Sequence, residues 1–395
     1  CPLPELAAMS GNIDVIVLGS SPTGLYAARE ASQAGLKVAM LDMASGCALH
    51  SRHVSRGEIV GAGDLMGWLE AHSVIDTTLI IPTSDVWIEA LMLTASDARF
   101  RAKVLPAYQG LAGVLLDKRR FHQLCGDHGM ETPGVWMAQG SDELAALSLQ
   151  IPYPCILKPA LIHRARKFLR GKKVLLARSR AEFVQHVESM PDGPGGWLVQ
   201  EVIPGPESEI TLFGGYIARD GTPMQIFTGR KLRQYPAGFG SASLVTSVPC
   251  PETRETTLDF LGRIGFRGIC GAEYKRDPRD GRLKIIEINP RPTLWFQATH
   301  EAGCRVLEAA WRDTAGLDPL PERPQLDCVR WRYLLKDLAS AVFYLRESDF
   351  VFPEPEVLGM RAARLRSWPV FRADDPVPAL AEPLVFLKKA LGRRQ

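Results

Sequence analysis

The first hydrophobic pattern along the chain predicts a β-α-β unit. A continuous apolar run from Val15 to Leu18 predicts a buried parallel strand, because strands covered on both faces carry few polar residues. A helix is expected from about Gly24 to Ala34, with Gly35 at its end, and Lys37–Asp42 predicts a second strand. A unit of this kind typically opens a doubly wound α/β sheet.

Further along, apolar runs alternate with amphipathic stretches and predict a second region of mixed helices and strands. Asp117 is suited to be the N-cap of a helix that ends near Gly129, because its carboxylate accepts from N–H groups of the first turn. Strands are expected at Thr78–Ile81, Tyr153–Pro159, Lys173–Arg178, Trp197–Ile203, Glu209–Ala218, Gln225–Gly229 and Leu244–Val248. Helices are expected at about Asp85–Leu93, Ser179–Met190, Pro251–Ile264 and Gly303–Thr314.

The turn after the first strand, Gly19–Gly24, lacks a dinucleotide fingerprint. That fingerprint needs a middle glycine so that the backbone approaches the pyrophosphate, and Ser21 takes this position. Leu25 and Tyr26 stand where a P-loop needs Lys and Ser or Thr. We therefore expect an architectural turn or a contact to another substrate. A nicotinamide or flavin oxidoreductase, with Asp42 on the ribose, is the weakest alternative.

Length and composition narrow the functional classes. A chain of 395 residues exceeds one compact core, and 46% hydrophobic with 23% charged residues is ordinary for a globular protein. The formal charge of +3 argues against a nucleic-acid partner, which needs a stronger basic bias. We find no membrane span, no secretory signal and no C-x-x-C pair among the 8 cysteines, so we expect a cytoplasmic protein with reduced thiols.

The strongest chemical signal lies in a predicted hairpin. A turn centred on Asp280 separates two strand-like runs and places Glu273 opposite Glu287. Two-residue alternation puts four side chains on one face of the second strand, namely Leu283, Ile285, Glu287 and Asn289. Facing carboxylates repel each other at a Cβ spacing of about 5 Å, so the pair predicts a cation, and oxygen ligands of this kind suit Mg²⁺. The alternatives are unconnected exposed acids, or acids neutralised by Lys275 and Lys284.

Several segments, in this order and spacing, resemble the ATP-grasp superfamily over roughly residues 14–315. They are Asp117-Lys118 at a helix start, Ile156-Leu-Lys158-Pro159 at a strand end, Gln200-Glu-Val-Ile203 followed by Gly205-Pro-Glu207, and Glu273 with Glu287-Ile-Asn289-Pro-Arg291. The implied fold is α/β, with a Rossmann-like domain before an α+β ATP-grasp part. The implied domains are a Rossmann-like domain at 1–115, a small subdomain with the phosphate loop at 116–199, a large subdomain with the metal hairpin at 200–318, and a C-terminal extension at 319–395.

The resemblance also implies roles for individual residues. The nucleotide phosphates would be contacted by Lys118 and Lys158. Lys158 would also lie beside the adenine. Four residues would form the inter-domain hinge whose backbone binds the adenine edge, namely Gln200, Glu201, Val202 and Ile203. Glu207 would bind the ribose hydroxyls. Arg291 would stabilise the transferred phosphoryl group or the acyl phosphate. One or two Mg²⁺ ions, for which Mn²⁺ is a substitute, would be held by Glu273, Glu287 and Asn289.

Three segments depart from the family pattern or extend it. Members often carry a glycine-rich phosphate loop, whereas residues 163–173 contain one glycine and six Lys or Arg. We expect this basic loop to clamp phosphates as a mobile lid, or to be a solvated surface loop. At Gln200 an acidic residue is frequent in the family. The segment 229–241 is expected to bind a substrate carboxylate or acyl phosphate through Arg230, Lys231 and Arg233. The alternative is a basic surface hairpin.

The resemblance implies an ATP-dependent ligase of the carboxylate–amine branch, including D-aspartate ligase-like members. Such an enzyme phosphorylates a carboxylate to an acyl phosphate, which an amine attacks to form an amide. The expected partners are a small-molecule carboxylic acid and a small-molecule amine. Whether these substrates are amino acids, and whether the protein is a homodimer, are open questions at this point. The alternatives are a carboxylase or carbamoyl-phosphate enzyme acting on bicarbonate, and a nucleotide-binding sensor without turnover.

Overall fold

The computed structural model describes residues 12–72, 77–159, 174–189, 196–355 and 363–391. These residues form three β-sheets with helices packed against them. The strands are β1 Val15–Leu18, β2 Val38–Asp42, β3 Arg56–Ile59, β4 Leu79–Pro82, β5 Val135–Ala138, β6 Cys155–Pro159, β7 Leu175–Ala177, β8 Trp197–Glu201, β9 Ile210–Ile217, β10 Pro223–Tyr235, β11 Ser241–Ser247, β12 Gly268–Arg276, β13 Leu283–Asn289, β14 Val329–Arg332 and β15 Leu365–Ser367.

Along the chain, most helices of the described residues connect two strands of the same sheet. They are α1 Pro22–Gln33, α2 Leu65–Ala71, α3 Asp85–Ala95, α4 Leu111–Leu116, α5 Lys118–Asp127, α6 Ser141–Leu147, α7 Arg180–Glu188, α8 Pro251–Arg263, α9 Gln297–Glu301, α10 Val306–Thr314, α11 Leu334–Arg346 and α12 Val377–Leu391.

The N-terminal sheet is parallel, in the order β3-β2-β1-β4, and confirms the predicted β-α-β unit. The turn between β1 and α1 is tight, since Gly19 has a φ of +113° and a Cβ on Gly24 would lie 2.0 Å from the Gly19 carbonyl oxygen. The Asp42 carboxylate holds this turn by accepting from the N–H and the Oγ of Ser20, each at 2.6 Å. These contacts give the two glycines and Asp42 an architectural role.

The small sheet is antiparallel, in the order β5-β8-β6-β7. Its helix α5 begins as predicted, because Asp117 Oδ1 accepts from the backbone N–H groups of Arg119 and Arg120 at 2.9 and 3.2 Å. The domain boundary expected between residues 199 and 200 falls inside β8, whose five residues are all buried. The small sheet therefore extends two residues beyond the expected boundary.

The large sheet has the order β13-β12-β9-β10-β11-β14-β15. Strand β10 runs through 223–235, whereas the sequence predicted a strand only at 225–229, because a β-bulge near Lys231 lets pairing with β11 continue. The predicted substrate segment is thus partly a sheet strand. The C-terminal extension adds β14 antiparallel to β11 and β15 parallel to β14, so it completes this sheet.

The C-terminal segment also docks on the N-terminal sheet through a buried ion pair. Arg29 Nη2 on α1 lies 3.0 Å from Asp375 Oδ2. Both side chains are buried, with 1% of Arg29 and 2% of Asp375 exposed. Asp375 accepts further bonds from Ser51 Oγ at 2.7 Å and the N–H of Arg52 at 3.1 Å. Burial lowers the pKa of Arg29, and the Asp375 carboxylate opposes that effect.

No helix in the described part of the chain is both long and apolar enough to cross a membrane. Seven cysteines of these residues are free thiols, and five of them are buried. Burial raises the pKa of Cys125 and of Cys155 to about 12. These thiols are therefore protonated at neutral pH and pack as small apolar side chains.

We predict that Asp375→Ala destabilises the protein strongly, because it leaves the Arg29 charge buried without its partner. The free energy of unfolding should fall by about 3–5 kcal/mol, measured by urea denaturation. Asp374→Ala is the matched control, since the neighbouring side chain is 48% exposed and should change the free energy by less than about 1 kcal/mol. Equal losses in the two variants would contradict the proposed contribution of the buried pair.

Candidate functional site

Strands β12 and β13 form the predicted hairpin, and Glu273 pairs directly with Glu287. The predicted register of the two carboxylates is thus confirmed. Glu273 is buried, whereas the Glu287 side chain is 36% exposed. Because paired residues project from the same face of a sheet, the two carboxylates share one surface.

A β-bulge separates the carboxylates from the apolar part of the hairpin. The register shifts by one residue after Glu287, so that Ile286 is left over and Ile285 pairs with Tyr274. The prediction that Leu283 and Ile285 share a face with Glu287 is therefore wrong. The bulge reverses the alternation, and both side chains pack with Tyr274 in a buried cluster instead.

Each of the two carboxylates has a lysine beside it from another element. Lys231 on β10 bonds to Glu273 Oε2, and Lys118 Nζ at the start of α5 lies 3.8 Å from Glu287 Oε2. Asn289 Nδ2 donates to Glu287 Oε1 at 3.0 Å. These contacts offset the repulsion between the facing acids and bring positive charge to the same surface.

The two lysines of the hairpin itself bind elsewhere. Lys275 Nζ donates to the carbonyl oxygens of Ile203 at 2.9 Å and Gly205 at 2.7 Å. Lys284 Nζ bonds to Asp277 Oδ2 at 2.8 Å. The bulge places both lysines on the face of Glu273, but Lys275 bonds to the backbone after β8 and Lys284 to the turn of the hairpin.

The donor set fits Mg²⁺ if a substrate completes the coordination. Two carboxylates and the carboxamide oxygen of Asn289 are oxygen ligands of the kind that Mg²⁺ prefers. Across the described ranges, no group of three or more His, Cys, Asp or Glu side chains is placed to hold a metal. Since Mg²⁺ usually takes one or two carboxylates together with water and substrate phosphates, the set needs those phosphates.

Lys158 on β6 lies against the neighbouring strand β8. Its Nζ donates to Gln200 Oε1 at 2.6 Å, and both side chains are buried. Burial, reinforced by the charge of Lys118, lowers the pKa of Lys158 to about 7. A negatively charged group placed beside Lys158 would favour the charged amine and raise its pKa.

His122 is a neighbour of the two lysines that the sequence reasoning missed. Both ring nitrogens are buried and have no hydrogen-bond partner among the described residues. Burial, followed by the charges of Lys158 and Lys118, lowers the pKa of His122 to about 3, so the ring is neutral. The available signal was its spacing of four residues from Lys118 on one helix face.

The four residues expected at the hinge are the last two of β8 and the two that follow it, and several elements hold them. The N–H groups of Glu201 and Val202 donate to the carbonyl oxygens of Gly134 at 3.0 Å and Pro154 at 3.1 Å. The Glu201 carboxylate bonds to Arg279 Nη2 at 2.8 Å. The Ile203 carbonyl is bound by Lys275, so the ends of the small and large sheets meet here.

Glu207, the residue that the resemblance gives to the ribose, is fully buried. Its carboxylate accepts from the backbone N–H of Gln234 at 3.1 Å and from that of Gly238. Burial raises the pKa of Glu207, although these two N–H groups act against that shift. A ribose contact would require the carboxylate to exchange these partners.

Arg291 is anchored by the N-terminal domain. Its Nε and Nη2 donate to Asp85 Oδ1 at 2.9 and 2.6 Å, and Asp85 is the first residue of α3. Burial alone would raise the pKa of Asp85, but Arg291 and then Lys118 lower it below its ordinary value. Sequence reasoning missed Asp85, which the chain shows only as an acidic residue at a helix start.

Arg233, expected at the substrate, is paired with the C-terminal helix α11. Its Nε and Nη2 donate to Asp337 Oδ1 and Oδ2 at 2.7 and 2.8 Å, and Asp337 is fully buried. Arg230 faces Glu209, with Nη1 3.7 Å from Oε1. Among the three basic residues of this segment, Lys231 bonds to the carboxylate pair, and the role of Arg233 stays a prediction.

The basic loop at 163–173 lies outside the described residues. Within them, the structure brings together groups from four parts of the chain around the two carboxylates. They are Lys118 and Lys158 from the small subdomain, Lys231 from β10, and Arg291 with its anchor Asp85.

Sequence comparison finds similarity to ligases, although no protein-family model matches the chain. D-aspartate ligase from Enterococcus faecium is 26% identical over 188 residues, covering 45% of this chain and 44% of the relative. D-alanine–D-alanine ligase from Natranaerobius thermophilus is 22% identical over 197 residues, covering 46% and 52%. The matched region thus spans about half the length of these curated relatives.

Solved structures extend the likeness across most of the chain. N5-carboxyaminoimidazole synthetase from Staphylococcus aureus, in complex with ADP, superposes with a TM-score of 0.64 at 15% identity, covering 81% of this chain and 82% of that one. The biotin carboxylase domain dimer of Hydrogenobacter thermophilus 2-oxoglutarate carboxylase, in complex with MgADP and bicarbonate, gives 0.63 at 15%, covering 81% and 74%.

These likenesses confirm the fold that the sequence motifs implied. The chain, with its three β-sheets, shares its architecture with these structures over about four fifths of its length. The chain therefore has the ATP-grasp fold, and its sequence is similar to those of D-aspartate ligase and D-alanine–D-alanine ligase.

Proposed function

We propose that this protein is an ATP-dependent ligase that joins a carboxylate to an amine through an acyl phosphate. The observation that carries the proposal is the facing pair Glu273 and Glu287, each with a lysine from a different element beside it. Paired acids with basic neighbours suit a polyphosphate and its divalent cation better than either ligand alone. The similarity to D-aspartate ligase supports the same reaction class.

The chain's own residues would act mainly by positioning and by neutralising charge. Lys118 and Lys158 would bind phosphate oxygens, and Arg291 would face the phosphoryl group in transfer. Glu273, Glu287 and Asn289 would hold Mg²⁺, which, when bound, neutralises charge on the phosphate oxygens. A substrate carboxylate oxygen would form a bond to the γ-phosphorus as the bond to ADP breaks. The amine would then attack the acyl carbon, and phosphate would leave.

Bicarbonate is the alternative acid, and one structural neighbour favours it. The Hydrogenobacter carboxylase domain, with a TM-score of 0.63, is a complex with MgADP and bicarbonate. Phosphorylation of bicarbonate would use the same cation and lysines, so the geometry of the described residues fits both acids. The difference lies in whether ADP release depends on an organic acid and an amine.

The substrates can be found by measuring ADP release in a matrix of acids and amines, including D- and L-amino acids, with and without bicarbonate. The proposed ligase releases ADP only when one acid and one amine are both present. ADP release that needs bicarbonate and no organic acid would overturn the ligase in favour of a carboxylase. Nucleotide binding without ADP release under any pair would indicate a sensor.

The remaining expectations concern partners and location. We propose small-molecule substrates and a cytoplasmic location, and a homodimer is consistent with the dimeric carboxylase domain among the structural neighbours. Sedimentation analysis of the purified chain would settle the oligomeric state.

Glu287→Gln should abolish catalysis while preserving the fold. The amide keeps an oxygen that accepts from Asn289 but removes the charge that would hold the cation. We expect Mg²⁺-dependent ADP formation to fall at least about 100-fold, with a thermal midpoint close to that of the wild type. Glu252→Gln is the control, because its side chain is 54% exposed and pairs with Arg276 at the surface. Wild-type activity in Glu287→Gln would refute the proposed metal ligand.

The affinity for ATP should fall as the pH rises above 7. In the free protein Lys158 has a pKa of about 7, so its charge is lost above that pH, whereas a bound triphosphate favours the charged form. Binding at pH 8 should therefore take up a proton, and affinity should drop by up to about tenfold per pH unit.

The proton uptake can be measured by titration calorimetry in buffers of different ionisation enthalpy. Lys158→Arg should flatten the profile, because a guanidinium stays charged over this range. Lys275 also has a pKa lowered by burial to about 7, but its amine is bound to hinge carbonyls. An unchanged profile in Lys158→Arg would exclude Lys158 as the titrating group.

Asp85→Ala should reduce the rate of turnover without weakening ATP binding. Arg291 would lose the carboxylate that orients it, and small displacements of a charge-stabilising group slow the chemical step. We expect kcat to fall by about 10- to 100-fold with KM for ATP unchanged, and Asp85→Asn to retain part of the activity. A rise in KM alone would argue against a positioning role.

A further inference from the structure

The C-terminal segment places aromatic side chains beside the hinge of the candidate nucleotide site. Phe352 is 6% exposed and forms one buried cluster with Ile156 and Val202. Ile156 lies two residues before Lys158 on β6, and Val202 is a hinge residue. The resemblance assigns adenine contacts to the hinge and to Lys158, but no role to residues after 318.

Phe352 is held in place by other aromatic rings. The centroid of Phe239 lies 5.4 Å away and that of Phe350 5.9 Å away, and Phe350 in turn packs on Phe343 of α11 at 4.9 Å. A Cβ on Gly238 would lie 2.6 Å from the Phe350 ring, which shows how closely the segment packs against the end of β10. These contacts come from groups outside the proposed hinge.

A lysine joins the same ring to the hinge backbone. Lys275 Nζ lies 3.9 Å from the centroid of the Phe352 ring, and it donates to the carbonyl oxygens of Ile203 and Gly205. The ring face toward the ammonium is therefore occupied by a cation–π contact. One lysine thus links the C-terminal segment to the segment proposed for adenine.

The preceding helix approaches the residue proposed for the ribose. Burial, and then the charge of the Glu207 carboxylate, raise the pKa of the Tyr344 phenol near the end of α11. Tyr344 is followed at a short distance in sequence by Phe350 and Phe352, so one stretch of chain lies beside both Glu207 and Val202.

We propose that Phe352 forms a wall of the adenine subsite and packs against the purine of a bound nucleotide. This inference rests on the proposed function, because it assumes that the hinge at 200–203 receives adenine. A flat apolar base is well matched to an aromatic ring together with the aliphatic side chains of Ile156 and Val202. Since Phe239, Phe350 and Lys275 fix the ring, base binding would use it without displacing it.

The test compares ligands with and without a base. MgADP and magnesium tripolyphosphate should both bind the wild-type protein, and titration calorimetry gives the two dissociation constants. Phe352→Ala should weaken MgADP binding by about tenfold and leave tripolyphosphate binding within about twofold, because base stacking on an aromatic side chain is lost while the phosphate contacts remain. Phe352→Leu should show a smaller loss.

Phe371→Ala is the matched control, because this phenylalanine belongs to the same C-terminal segment and is 53% exposed. It should bind both ligands as the wild type does. Equal losses of MgADP and tripolyphosphate in Phe352→Leu would overturn the proposal in favour of a general packing role. Tighter MgADP binding in Phe352→Ala would also overturn it, because the ring would then block the subsite.

A wild-type protein that binds tripolyphosphate but no adenine nucleotide would refute the adenine subsite and the proposed ATP-dependent function together. Normal MgADP binding in Phe352→Ala would refute the wall alone and leave the ligase proposal intact. The two failures are therefore distinguishable.

Discussion

The close approach of Glu273 and Glu287 is the constraint on which the site depends. Direct pairing across β12 and β13 puts two carboxylates on one surface, where their mutual repulsion must be offset. Lys231 and Lys118 supply positive charge from β10 and α5, so folding assembles both signs from distant parts of the chain. A surface of this kind suits a ligand that carries both negative charge and a cation.

The residues around the carboxylate pair come from all three sheets or the helices beside them. Lys118 and Lys158 reach the site from the small subdomain, and Asp85 brings the N-terminal sheet to Arg291. The C-terminal extension completes the assembly, because it adds two strands to the large sheet and places Phe352 against Val202 of the proposed hinge. Small displacements between these parts would therefore change the geometry around the proposed phosphates.

The sequence predicted those elements whose signal lies in a few neighbouring residues. The apolar run of β1, the Asp117 cap of α5 and the turn between β12 and β13 depend on nearby residues, so their positions were foreseen. The bulge at Ile286 was not, since alternation by itself assumes an uninterrupted ladder. Partners distant in sequence were also missed: 206 residues separate Asp85 from Arg291, and 104 separate Arg233 from Asp337.

The order of motifs determined the fold and the carboxylate register, because residue type and short spacing carry both. Tertiary structure decided which charges meet and which side chains surround the proposed hinge. The difference arises because a hydrogen-bonded turn is a local property, whereas an ion pair or an aromatic cluster depends on how separate sheets pack. The surroundings of Asp85, His122 and Phe352 therefore became visible only in the folded chain.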